Sequence, residues 1–147
     1  MTAADPAEVD ASELVRPPRP ALVELAAAIL IVGGGLQLLF GLATLPNVPP
    51  GAEPFAAIAL GLNVASIALG LLVRIGRAWL VAVNFAVVLA FLDLLGSGGS
   101  PISLTLGAAE VAVVLILFAR RPWFDEMRAW RAADQPLTPP TASPPTR

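Results

Sequence analysis

Four uninterrupted apolar runs, at roughly residues 22–45, 55–73, 78–95 and 102–119, constrain this chain more than any other feature. A helix needs about 20 apolar residues to cross about 30 Å of hydrocarbon, with about 17 as the lower bound. All four runs meet that requirement, the third and fourth narrowly. The fifteen prolines fall outside the runs, at positions such as Pro20, Pro46, Pro54, Pro101 and Pro122. Proline removes an interior helix hydrogen bond and clashes with the preceding turn, so this placement marks the runs as continuous helices. The residue alternation of a barrel strand is absent. The expected fold is all-α: a membrane-spanning four-helix bundle over residues 21–121 with a short C-terminal interfacial helix.

Composition narrows the chemistry. The 147 residues are 56% hydrophobic and include no Cys, His, Tyr or Lys. Disulfides, thiolate metal sites, histidine acid–base chemistry, cysteine nucleophiles and lysine Schiff bases are thereby removed. The carboxylates do not cluster. No catalytic residue, metal site or cofactor is expected, and the chain does not read as an enzyme. Nine arginines without a lysine, among abundant Ala, Pro and Gly, fit a high-G+C bacterial genome.

The arginines also orient the chain, because short cytoplasmic loops are enriched in Arg and Lys. Arg16 and Arg19 precede the first run, Arg74 and Arg77 fill the second gap, and Arg120, Arg121, Arg128 and Arg131 follow the fourth. The first gap, 46–54, and the third, 96–101, contain none. Both termini are expected in the cytoplasm of a multi-pass protein of the cell membrane. The first run exceeds a signal-peptide apolar region of about 7–15 residues, so it reads as a retained span.

Residues 1–20 and 135–147 are polar and proline-rich, and both are expected to be disordered. Between them, 122–134 reads as an amphipathic helix. Trp123, Met127 and Trp130 recur at i, i+4 and i+7, with Phe124 beside them, while Asp125, Glu126, Arg128 and Arg131 take the other side. Aromatic rings at headgroup level with arginine facing water describe interfacial anchors; a helix docking a partner is the alternative.

Each run carries one strongly polar residue near its middle: Gln37, Asn63, Asn84 and Glu110. Gln37 lies nine residues before Pro46, Asn63 nine after Pro54, Glu110 nine after Pro101 and Asn84 twelve before Gly96, where the third gap begins. At 1.5 Å per residue all four lie roughly 14–18 Å from the arginine-free loops, so they are expected to form one layer. Amides and carboxyls in hydrocarbon need partners, and groups at equal depth supply them. Gly34, Gly41 and Thr44 flank Gln37, Ser66 and Gly70 flank Asn63, and Ser103 and Gly107 flank Glu110; only Asn84 sits among bulky residues. A second small-residue face on the second run, Ala57, Gly61 and Ala65, points to contacts with a homo-oligomer or larger complex. Glu110 is the one acid deep in the hydrocarbon, either a proton- or cation-coupled site or a neutral carboxyl bonding helices together. Glu24 and Asp93 are placed at span ends, in reach of water.

A shift of 47 residues superposes Pro54 on Pro101, Asn63 on Glu110, Arg74 on Arg121 and Gln37 on Asn84, the trace that a duplicated hairpin would leave. Apolar runs of similar length align readily, so chance superposition is the competing account.

Arg-marked span ends and the segment RRPWFDEMRAWR after the fourth run make the chain similar to small, uncharacterised four-span membrane proteins of high-G+C bacteria. That resemblance implies no activity. Small multidrug-resistance transporters are similar in architecture only: their membrane acid lies in the first span, whereas Glu110 lies in the fourth. The expected function is a non-catalytic interaction, accessory or self-assembling membrane subunit, with a small proton- or cation-coupled transporter or channel subunit using Glu110 as the alternative. The expected partners are the lipid bilayer and other membrane subunits, not nucleic acid.

Overall fold

The computed structural model describes residues 15–96 and 100–134. Among these residues there is no strand. The elements are α1 (Ala21–Thr44), a 3-10 turn (Leu45–Asn47), α2 (Glu53–Arg74), α3 (Trp79–Gly96), α4 (Pro101–Ala119) and α5 (Arg121–Ala133). The segment from Ala21 through the 3-10 turn, α2 and α4 are long and apolar enough to cross a membrane, which makes the chain a membrane protein; α3 is the shorter apolar helix. Its start explains the difference from the expected run at 78–95. Ala78 adopts φ +56°, a left-handed conformation that no helix accommodates, so the helix begins one residue later at Trp79.

Proline sits in the first turn of α2, α4 and α5, where its missing N–H would have had no helical partner. α1 packs chiefly on α2 and α3 on α4, and the two hairpins join mainly through α1 and α4. Close approach of α1 and α2 depends on Gly34: a Cβ there would lie 2.9 Å from both the Asn63 carbonyl oxygen and the Ser66 Cβ.

The core is concentrated toward the arginine-bearing end. Val23, Ala26, Ala27 and Leu30 of α1 meet Val73 of α2, Ala82, Val83 and Ala86 of α3, and Val113 and Leu117 of α4, with Trp123, Phe124 and Met127 of α5 in the same cluster. Toward the other end the large side chains face outward, among them Phe40, Phe55, Phe91, Leu95 and Ile102. One end is therefore packed across all the helices, whereas toward the other the close approaches lie within each hairpin, as at Gly41 against Leu60 and Gly107 against Leu94.

The stretch 15–20 departs from the expected disorder of 1–20. The Trp123 indole N–H donates to the Pro18 carbonyl at 2.9 Å, and Arg16 lies over the Trp130 ring at 5.8 Å. A proline-rich strand leaves its carbonyls free, and a buried indole needs an acceptor. The expectations for 1–14 and 135–147 lie outside the described residues.

Candidate intramembrane polar site

Glu110 is the centre of the polar interior. It lies on α4 at 7% exposure, and its Oε2 is buried without a hydrogen-bond partner. A cavity of about 20 Å³ adjoins it, lined by Gln37 of α1, Ser66 of α2, Leu89 of α3 and Glu110 itself. All four apolar helices thus contribute. Ser66 Oγ donates to the Leu30 carbonyl at 3.0 Å, tying α2 to α1 beside the cavity. Asn63 is buried at 8% exposure, and its backbone carbonyl faces Gly34.

Gln37 finds a partner that the sequence reading assigned to a span end. Its Nε2 donates to Asp93 Oδ2 at 3.3 Å, a part-buried contact from α1 to α3. Gln37 also lines the cavity beside Glu110, so this one amide connects the two carboxyl groups.

Asn84 does not join them. It is exposed on the outward face of α3, and its Nδ2 donates to the Leu80 carbonyl one turn earlier at 2.7 Å. Of the four residues expected in one layer, Gln37 and Glu110 line one cavity together with Ser66, Asp93 is reached through Gln37, Asn63 is buried on α2, and Asn84 faces outward. The reason is geometric. Counted from the arginine-bearing helix ends, the polar residues do not fall at one depth. Gln37 lies 16 residues past Ala21 and Asp93 14 past Trp79, roughly 24 and 21 Å at the helical rise. Asn84 is only 5 residues past Trp79, about 8 Å. Counting from the arginine-free loops hid the pairing of Gln37 with Asp93.

The arginine-free end gives this interior an approach. A groove of about 420 Å³ runs between α1 and α4, lined by Leu36, Gln37, Phe40, Ile102, Ser103 and Leu106. Gln37 and Leu106 line both the groove and the small cavity, so they stand between the two.

At the opposite end, α5 folds back over the α2–α3 turn. Gly76 has φ +73°, and a Cβ there would lie 3.0 Å from Met127 Cγ and 3.1 Å from the Trp123 ring. Trp123 and Phe124 meet edge to face at 5.0 Å. Arg131 donates to the carbonyls of Ile75, at 3.1 Å, and Gly76, which have no helical acceptor role to fill. Burial, reinforced by Arg77, Arg16 and Arg128 nearby, draws Arg131 below the usual guanidinium pKa. Trp123, Phe124 and Met127, read as anchors in the headgroups, are instead buried against their own bundle; Trp130 is half-buried beside them. Only Arg120 separates α4 from α5, so α5 must turn back at once, and its apolar stripe meets the turn before it can meet lipid.

Trp79, not singled out in the sequence, completes this end. Its indole donates to the Leu117 carbonyl at 2.8 Å, its ring meets Phe118 edge to face, and Arg121 lies over it at 5.3 Å. A tryptophan two residues after Arg77 at a span end was the available signal. Glu24 accepts from Arg19 at 2.7 Å and pairs with Arg74 at 2.8 Å, joining the 15–20 stretch to α1 and α2. No group of three or more metal-ligating side chains occurs among the described residues.

Comparison of the chain with protein families, curated proteins and solved structures finds no match.

Proposed function

We propose that this chain is a four-span, non-catalytic protein of a bacterial cell membrane, with both ends in the cytoplasm, that assembles with copies of itself as an interaction or accessory subunit. α3 serves as the fourth span: its 18 residues reach about 27 Å, and a bilayer adjusts to a deficit of a few ångströms. The composition and Arg-marked helix ends agree with the resemblance to small four-span proteins of high-G+C bacteria.

The outward position of Asn84 carries this reading. Lipid offers an amide no partner, so an asparagine on a span's outer face favours helix association. Around it Val81, Asn84, Val88, Phe91 and Leu95 are all exposed and recur at alternating steps of three and four residues. That spacing is a heptad seam, and one asparagine in such a seam fixes register and oligomer state. Copies of one chain share a topology, so a two-fold axis along the membrane normal brings Asn84 to Asn84 at equal depth. An amide both donates and accepts, which makes the pair reciprocal.

The chain has no cysteine, so single substitutions report contacts cleanly. Val81→Cys, Val88→Cys and Phe91→Cys should cross-link between copies in native membranes, and Phe55→Cys on α2 should not. Asn84→Ala should weaken self-association roughly 3- to 30-fold, as an interhelical amide bond of about 0.6–2 kcal/mol requires. Glu110→Gln should leave the cross-links intact. Equal cross-linking at Phe55→Cys and along the seam, or capture of a different protein there in place of a second copy, would overturn self-assembly.

A second reading, a small proton- or cation-coupled transporter or channel subunit using Glu110, is favoured by one observation. Gln37 connects Asp93 to the cavity beside Glu110, and paired acids within spans are typical of ion pathways. Ion flux into proteoliposomes that disappears in Glu110→Gln would support it; flux no higher than in protein-free liposomes would exclude it.

A further inference from the structure

The cavity beside Glu110 has the size of one small occupant. A space of about 10–15 Å³ on this measure accommodates a water-sized species, and the cavity measures about 20 Å³. Glu110 borders it, and the Oε2 of that residue is buried without a hydrogen-bond partner. Gln37 and Ser66 line the same space. Gln37 directs its Nε2 to Asp93, which leaves the amide oxygen as a ligand, and Ser66 Oγ keeps lone pairs after donating to Leu30. These are all oxygen donors, the set that suits a hard cation.

Charge balance points the same way. Every arginine of the described residues lies outside α1, α3 and α4, and in α2 only at its final position, Arg74. Glu110 is nine residues from the end of α4 at Ala119, about 14 Å along the helix. No basic side chain therefore neutralises it, and because an unpaired buried carboxylate is costly the group takes up either a proton or a cation. Only one carboxylate borders the cavity, since Asp93 does not line it and is engaged by Gln37. A single positive charge matches that donor set. The groove between α1 and α4 supplies the approach from the arginine-free end, with Gln37 at the boundary.

We propose that Glu110, Gln37 and Ser66 form a binding site for one monovalent cation of sodium size, reached through the groove between α1 and α4. The site supplies the ion for the transport reading above without depending on it: binding without flux overturns transport and leaves the site in place.

The test uses the full chain in nanodiscs and a hydrophobic carbodiimide, which adds to a protonated buried carboxyl and is located by mass spectrometry. At ten times its Kd, sodium leaves about one site in eleven unoccupied, so labelling of Glu110 should slow roughly tenfold relative to choline at equal ionic strength. Gln37→Leu should abolish the protection while Glu110 still labels, and Ser66→Ala should weaken it. A labelling rate indifferent to sodium, or slowed equally by choline, overturns the proposal. Thermal melting decides the matter independently of reagent access. Sodium should raise the Tm of the wild-type chain and not that of Glu110→Gln, and a Tm unaffected by sodium in the wild type means that the cavity holds water only.

Discussion

Gln37 on α1 donates its side-chain amide to Asp93 on α3 at 3.3 Å, joining residues 56 positions apart. This contact links the two helical hairpins above the level at which the hydrophobic core closes. The core below holds the hairpins by packing, whereas here the large side chains face outward and a polar bond takes over. Glu110 and its cavity lie between these two regimes, where helix separation is large enough to leave space and small enough to exclude bulk solvent.

Removing the amide should loosen that junction. Gln37→Leu leaves the part-buried Asp93 without its donor, and loss of such a partner costs about 1–3 kcal/mol. Melting in detergent should show a lower Tm for Gln37→Leu than for Asp93→Asn, which retains an acceptor for the glutamine. Equal Tm values for wild type and Gln37→Leu would mean that the hairpins are held by the core alone.

The α1–α2 seam should discriminate sharply between adjacent glycines. A Cβ at Gly34 meets the Asn63 carbonyl oxygen at 2.9 Å, and backbone cannot move aside as a side chain can. At Gly33 nothing lies within 4 Å. Gly34→Ala should destabilise by about 1–3 kcal/mol, the usual cost of overpacking, and Gly33→Ala should be close to neutral. Ser66→Ala removes the bond to Leu30 and should cost about 1 kcal/mol. Melting the three variants side by side checks the order.

The helices are legible in the sequence because apolar length and proline placement are local properties. Which face each helix buries is harder to read, since α1, α3 and α4 are apolar almost all round and no polar stripe marks an outer side. Small residues identify the α1–α2 contact through Gly34 and Ser66, and Glu110 is identified by its cost in hydrocarbon. Asp93, not Asn84, partners Gln37: the distance from the arginine-free loops puts Gln37 beside Asn84, whereas the distance from the arginine-bearing helix ends puts it beside Asp93. Asn84 among Leu80, Val81, Val87 and Val88 already differed from the other polar positions, each of which is flanked by small residues. That difference is the trace of its outward orientation. The docking of α5 was hidden for another reason: a Trp–Met–Trp stripe is equally suited to lipid headgroups and to a protein surface, and only the one-residue connection at Arg120 selects between them.

The turn beneath α5 should be sensitive to a single methyl group. Gly76 is left-handed, a conformation costing other residues roughly 1–2 kcal/mol. Its missing Cβ also makes room for Met127 and Trp123. Gly76→Ala should therefore undock α5 as well as strain the turn. Trypsin should cleave after Arg120 and Arg131 faster in Gly76→Ala than in wild type, while an exposed helical substitution such as Ala129→Ser leaves the rate unchanged. Identical cleavage rates would show that α5 is held chiefly by Arg131 and the Pro18 contact.

The proposed orientation rests on the arginines that gather at one end of the helices. Eight of them, from Arg16 to Arg131, gather where α5, the α2–α3 turn and the 15–20 stretch come together, and the loop between α1 and α2 carries none. A membrane potential, negative inside, and anionic inner-leaflet lipids both favour keeping that end in the cytoplasm. The cysteine-free chain allows a direct check. Pro50 lies exposed in the arginine-free loop and Ala129 exposed on α5. In intact cells a membrane-impermeant maleimide should label Pro50→Cys, and it should reach Ala129→Cys only after permeabilisation. Reversed labelling would place the polar groove at the cytoplasmic face, so that a cation would enter the Glu110 cavity from inside the cell. Labelling of both sites in intact cells would mean a mixed topology, which the segregation of the arginines opposes.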